Sequence, residues 1–193
     1  MSQLGKEAAA AHDRFNLYAV TPLVVLTFCA LVQPEPWGYY LSVATLLYII
    51  ADIVYNALVP HCQPNATRWA TIMLHHVVTL WLVLHPVLHR ENAKMTAACT
   101  IVEINTLILT VNRNLKWKSL TYAFYFTWVT QRLIWYPYVI YINHLTILAW
   151  GATMFDYAYC QTVATVGVLS VLNFVWTAEV VMGLVKKKPH KTV

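Results

Sequence analysis

The chain has 193 residues, of which 59% are apolar and only 11% are Asp, Glu, Lys or Arg, with a formal net charge of +5. A soluble domain carries about 25% charged residues, so this chain has too few to cover a water-facing surface. Soluble globular classes are excluded, and an all-α integral membrane protein remains.

In chain order, residues 1–16 are polar and carry Glu7 and Asp13, with no small-residue cleavage site behind an apolar core. The first apolar segment therefore reads as a signal anchor rather than a removable leader. Six apolar segments follow, at about 17–32, 39–59, 69–88, 95–111, 120–142 and 162–185. Most reach the roughly 20 residues that a bilayer-crossing helix needs. The prolines in 33–36 and 60–64 mark short turns between segments, and Trp37, Tyr39, Tyr40, Trp69 and Trp117 fall near boundaries, where interfacial aromatics gather. The stretch 144–155 is too short to cross alone and is expected at the interface or re-entering between helices, followed by a turn at 156–161. The organisation expected is one bundle or barrel of about six helices over 17–185, with a polar segment 1–16 before it and a basic tail 186–193 after it.

With six spans, Lys6, Arg14, Arg68, Arg113, Lys116, Lys118, Lys186, Lys187, Lys188 and Lys191 share one side, and only Arg90 and Lys94 lie on the other. The positive-inside rule then places both termini on the cytosolic or equivalent side. The sequon Asn65-Ala66-Thr67 falls on that side and is expected to stay unmodified. Cys29, Cys62, Cys99 and Cys160 are scattered and read as reduced packing residues. An internal membrane is expected, the endoplasmic reticulum first, with a mitochondrial or plastid membrane as the alternative.

Ionisable side chains inside a membrane are expensive and are kept where they have a partner or a task. His75 and His76 lie in the third span, six and seven residues beyond Trp69. Asp52 is eight residues before Pro60 and Glu179 seven before Lys186, so all four sit at similar depth, with Glu103 and Arg132 deeper. The chemical reading makes His75 and His76 general bases toward a lipid hydroxyl or amine, aided by a carboxylate such as Glu103. The cavity they face is expected to be lined by Asp52, Thr79, Asn105, Thr106, Asn112, Arg132 and Glu179. The structural reading ties helices together by pairing the acids with Arg132 and with protonated histidine. Successive helical residues diverge by about 100°, so His75 and His76 cannot share one small target. One histidine acts while the other braces a neighbour, and no metal site is expected, since no i,i+4 His/Glu pair completes one. The remaining histidines, His12, His61, His85, His89, His144 and His190, have no evident partner. Arg113, Lys116 and Lys118, with Lys186, Lys187 and Lys188, serve orientation or contact anionic headgroups.

The run Leu74-His-His-Val-Val-Thr79, followed by Glu103-Ile-Asn-Thr106, Asn112-Arg113 and Arg132 near a proline, resembles the TLC family. That family includes ceramide synthases, translocating-chain-associating proteins and small lipid-homeostasis proteins. The resemblance spans about 39–185 and implies a barrel of about six spans around a lipid-accessible cavity. It is nearer to the small non-synthase members, judged by the Glu-x-x-Thr and Asn-Arg run. The synthases would carry catalysis onto His75 and His76, with a His-Asp-x-x-Asp element on the next helix. Here that element reads Val102-Glu103-Ile104-Asn105-Thr106, which keeps one acid and loses the histidine and the second acid. Acyl transfer from coenzyme A therefore ranks below a lipid-binding, sensing or remodelling role, and no cofactor is expected otherwise. A non-catalytic subunit packed in a larger membrane assembly is the alternative from a different class. The partners expected are membrane lipids and other membrane subunits, with no nucleic acid.

Overall fold

The computed structural model describes residues 2–151 and 153–186. Lys187, Lys188 and the rest of the basic tail lie outside the described residues, as does the side chain of Lys186. Among the described residues there is no strand, and the helices form six runs joined by short turns.

Helix α1, Gln3–Val32, starts where the Ser2 side chain accepts a hydrogen bond from the Gly5 amide at 3.2 Å. Its 30 residues rise about 45 Å, more than the roughly 30 Å hydrocarbon core of a bilayer. The polar segment 1–16, expected as a separate unit, is thus for the most part the first turns of this helix. Helix α2, Pro34–Leu58, begins with prolines in its first turn, where the missing amide is not needed. Helix α3, Ala66–Leu88, is capped by Asn65, whose side chain accepts from the Arg68 amide at 2.8 Å. The helix runs on through His85-Pro86 to Leu88, the end of the expected third segment. Helix α4, Met95–Leu115, keeps right-handed dihedrals through Ile101 and Val102 and stops at Lys116, which is left-handed at φ 54°.

Helix α5 occupies 118–149 as three consecutive pieces, Lys118–Thr127, the wide π turn Trp128–Trp135 and Tyr136–Ala149. Helix α6 covers 157–186, again with a π turn, Cys160–Ala164, near its start. These two helices correct the expectation for 144–155. Its first six residues are the end of α5, the described residues between 149 and 157 are non-helical, and 157–161, expected as part of a turn, is helical. Among the described residues five helices are long and apolar enough to cross a membrane, namely α1 to α4 and Cys160–Gly183 within α6. The α5 run has the total length but is split, and no single piece exceeds 14 residues.

Contacts between neighbours close the helices into a ring in the order α1, α2, α3, α6, α5, α4 and back to α1, with α2 also touching α4. Small hydroxyl residues let the helices approach closely. The hydroxyls of Thr27 and Thr100 are hydrogen-bonded at 3.1 Å between α1 and α4, and those of Ser42 and Thr96 at 2.7 Å between α2 and α4. Large apolar residues such as Leu47, Val54, Phe126, Ile134 and Phe174 are exposed on the outside, the surface that lipid would cover. The ring leaves interior space, and its polar residues gather at one end.

Candidate functional site in the polar end of the ring

Asp52 is the centre of that end. It is 2% exposed on α2, and its two oxygens face two histidines from different helices. Oδ1 lies 2.6 Å from Nε2 of His12 on α1, and Oδ2 lies 2.5 Å from Nε2 of His76 on α3. The His76 nitrogen makes no hydrogen bond of good angle despite its distance, so that contact is a close polar approach rather than an aligned bond. A carboxylate so buried needs partners, and these two imidazoles supply them across three helices.

The next turn of α2 holds the clamp in place. Asn56 donates to the Asp52 carbonyl at 2.9 Å and accepts from the Gln63 amide at 2.8 Å. The Trp69 indole donates to the Asn56 carbonyl at 2.9 Å, which ties the start of α3 to the end of α2. The His12 ring stacks on Tyr55 with centroids 5.0 Å apart. His12 was missed as a site residue, and the signal for it was faint: His12 and Asn16 share a face at i,i+4 on a helix that begins earlier than its apolar run.

Asp52, His12 and His76 line a cavity of about 420 Å³, together with His75, Glu103, Asn105, Thr106, Arg113 and Arg132 from the sequence-derived residues. The two adjacent histidines divide their roles. His76 faces Asp52, whereas the His75 ring packs on Trp176 at 5.3 Å between centroids. Nδ1 of His75 and both ring nitrogens of His76 are buried without a hydrogen-bonding partner. Such atoms in a native interior call for an explanation.

Arg132 reaches the cavity wall from the π turn of α5, but its partners are not acids. Nε donates to Asn105 at 3.1 Å, Nη1 to Asn173 at 3.0 Å and Nη2 to Thr106 at 3.1 Å. The guanidinium also lies 5.0 Å from the centre of the Trp128 ring. Asn105 in turn donates to the Phe124 carbonyl and the Thr127 hydroxyl, both at 2.9 Å. The acid–arginine latch read from the sequence is therefore replaced by an arginine held by neutral oxygens. Glu103, half-buried on the cavity wall, has no described cation within 4.0 Å.

Five other expected residues do not line the cavity. The Thr79 hydroxyl donates back to the His75 carbonyl at 2.8 Å, and Asn112 donates to the Thr121 hydroxyl at 3.1 Å across the α4–α5 turn. Glu179 pairs with Arg68 at 3.2 Å between α6 and α3. Lys116 and Lys118 are exposed outside it. Arg113 does line the mouth, where it pairs with Asp13 of α1 at 2.7 Å. Asn16, Gln63, Arg68 and Trp176 are further lining residues that the sequence reading passed over, and the Arg68 guanidinium sits 4.7 Å above the Trp176 ring.

Cys62, in the turn between α2 and α3, also lines the cavity, and burial pushes its thiol above its ordinary pKa. It remains a neutral thiol, not a nucleophilic thiolate. Among the described residues no three His, Cys, Asp or Glu side chains are disposed to hold a metal ion. Chemically, the site offers a carboxylate that orients two imidazoles, a second carboxylate without a cation, and polar walls inside an apolar bundle.

A protein-family model described as the TLC domain matches residues 14–182. Among curated proteins and solved structures, none matches the chain significantly.

Proposed function

Because the chain belongs to the TLC-domain family of membrane proteins, which act in lipid metabolism or sensing, we propose that it binds a membrane lipid whose polar head enters the cavity around Asp52 and the histidine pair. The carrying observation is the buried Nδ1 atoms of His75 and His76, which have no hydrogen-bonding partner, beside a carboxylate clamped through His76 Nε2. A hydroxyl or amine headgroup would donate a hydrogen bond to such a nitrogen, while Asp52 holds the His76 ring in place through its other nitrogen. The cavity volume falls in the range of roughly 300–1,000 Å³ usual for small-molecule sites.

The synthase reading is weaker. Val102, where the synthase element would have histidine, is 3% exposed and packs in the apolar core. Thr106, where the second acid would be, accepts a hydrogen bond from Arg132. The second reading, a structural subunit, is favoured by the same Arg132 network, which joins α4, α5 and α6 without needing a ligand.

The two histidines separate these readings. His75 packs on Trp176 but holds no carboxylate, so His75→Ala is expected to change the bound and cellular lipid profile while protein level stays near wild type. His76→Ala is expected to lower both, since it strips Asp52 of a partner. Lipid mass spectrometry of the gently purified protein should show one enriched class, reduced in His75→Ala. Bulk lipid only, with the protein running in a large complex, would sink the lipid reading in favour of the structural one.

The orientation belongs to the same proposal. Both termini and the polar cavity are assigned to the cytosolic side of an internal membrane, the endoplasmic reticulum first, on the basis of the charge asymmetry. Asn65 should then show no shift on glycosidase treatment. A glycosylated Asn65 reverses the assignment.

A further inference from the structure

A second cavity, of about 370 Å³, lies between α3, α4, α5 and α6 and shares no lining residue with the polar one. Its position can be read helix by helix. On α3 the polar cavity is lined at His75 and His76 and the second cavity at His85 and Pro86. On α4 the corresponding levels are Glu103 and Cys99, on α5 Arg132 and Asn143, and on α6 Trp176 and Thr162. A core cluster of Leu82, Val102, Tyr136, Val139, Val166 and Leu169 occupies the intermediate level on all four helices. The nearest lining residues of the two cavities are six residues apart on α3 (His76 and Leu82), four on α4 (Glu103 and Cys99) and ten on α5 (Arg132 and Ile142) and on α6 (Trp176 and Val166). At about 1.5 Å of rise per residue the gap is roughly 6–15 Å. The second cavity is therefore a separate compartment toward the opposite end of the bundle, with an apolar plug between the two.

The chemistry of its wall is distinctive. Most of the lining is apolar, and among the described residues no Asp, Glu, Lys or Arg contributes. The polar contributors are neutral hydrogen-bonding groups, and several collect toward the end of the bundle. His85 and Asn92 are within 3.2 Å of each other through Nε2 and Nδ2, and Asn143 and Thr146 come from the last turns of α5. His85 Nδ1 is buried and makes no hydrogen bond of good geometry, with the Gln161 side chain near its ring. Asn143 spends its amide nitrogen on the Val139 carbonyl at 2.9 Å, and that bond leaves its side-chain oxygen as an acceptor. The inner end is apolar, formed by Leu82, Val83, Cys99 and Val166, while His85, Asn92, Asn143 and Thr146 lie among Pro86, Ile147 and Trp150 nearer the outer end, a difference in polarity that an amphiphile also has along its length.

The geometry points to a second lipid site, for a neutral lipid with a hydroxyl head on a single apolar body, entering from the end of the bundle opposite the Asp52 cavity. A hydroxyl can both donate to an imidazole nitrogen or amide oxygen and accept from an amide N–H, which suits His85, Asn92 and Asn143. A charged head would enter a low-dielectric compartment with no counter-charge, at high cost. This site does not depend on the reading of the polar cavity.

The shared chemistry has two sources, a sterol and a monoacylglycerol, and photo-crosslinking separates them. The full chain in lipid nanodiscs is labelled with diazirine analogues of a sterol, a monoacylglycerol and a fatty acid, and the labelled peptides are mapped. The expected result is labelling in 82–99 and 142–166 by the sterol or the monoacylglycerol probe, competed by the unlabelled parent. Thr146→Trp, which fills the cavity from a half-buried position, and His85→Leu, which removes the head partner, should each reduce it about tenfold. His75→Ala should leave it unchanged, whatever that variant does to lipid bound in the polar cavity. Equal labelling by the ionised fatty acid, labelling that survives both substitutions in folded protein, or labelling spread evenly over the outer surface overturns the proposal.

Discussion

Replacing Asp52 with Ala should destabilise the protein by roughly 3–5 kcal/mol, the range found when one partner of a buried ion pair is removed. An average interhelical polar contact in a membrane is worth only about 0.6 kcal/mol. Asp52 exceeds that average because it is 2% exposed and serves two helices besides its own. Its loss leaves His12 and His76 without the carboxylate they share. Asp52→Asn is expected to cost less than Asp52→Ala, since the amide keeps one oxygen and gains a donor for the same two rings. The check is thermal unfolding in detergent, with a double-mutant cycle that pairs Asp52→Ala with His12→Ala and with His76→Ala. Strong coupling to both histidines is the expected outcome. If Asp52→Ala shifts stability by less than about 1 kcal/mol, the clamp is not what joins α1, α2 and α3.

Depth was legible in the sequence, while rotation was only partly so. Counting residues from the basic boundaries put Asp52, His75, His76 and Glu179 at one level with Glu103 and Arg132 deeper, and all of these except Glu179 line one cavity. Helical periodicity alone could not say which way each stripe turns. Thr79 and Asn112 sit at helical positions compatible with the cavity, yet their hydrogen bonds close on their own helix and on the next turn. The π turn Trp128–Trp135 adds to the difficulty, because its wider winding rotates the following face away from where a 3.6-residue period puts it. His12 escaped for another reason. Polar residues before an apolar run look like a tail, but α1 is longer than the membrane is thick, and its first turns fold over the mouth of the ring. The stretch 144–155 was misread because its apolar run was judged by itself, when half of it finishes a helix already under way.

The identity of Arg132's partners leads to the second large effect. Charge complementarity suggested an acid, and the structure supplies Asn105 and Thr106 from α4 and Asn173 from α6. A planar guanidinium can address three oxygens in different directions at once, which a lysine ammonium on a flexible stem does not reproduce. Arg132→Lys is therefore expected to behave more like a loss than a conservative change. Arg132→Met removes the donors but keeps much of the volume, and it strands the side-chain oxygens of Asn105 and Asn173 in the ring interior. With about 0.6 kcal/mol per contact on average and about 1.7 at most, three contacts set an expected loss of roughly 2–5 kcal/mol. The α5–α6 side of the ring should loosen first, since Asn173 is 2% exposed and bonded to Arg132 across that junction. Hydrogen exchange resolved by peptide checks this, with faster exchange expected in 128–139 and 166–177 of Arg132→Met while α1 and α2 stay protected. Uniform loosening of all six helices would mean instead that Arg132 supports the whole ring. A thermal midpoint within error of wild type would mean that its three bonds are dispensable and that its place in the cavity wall serves the ligand alone.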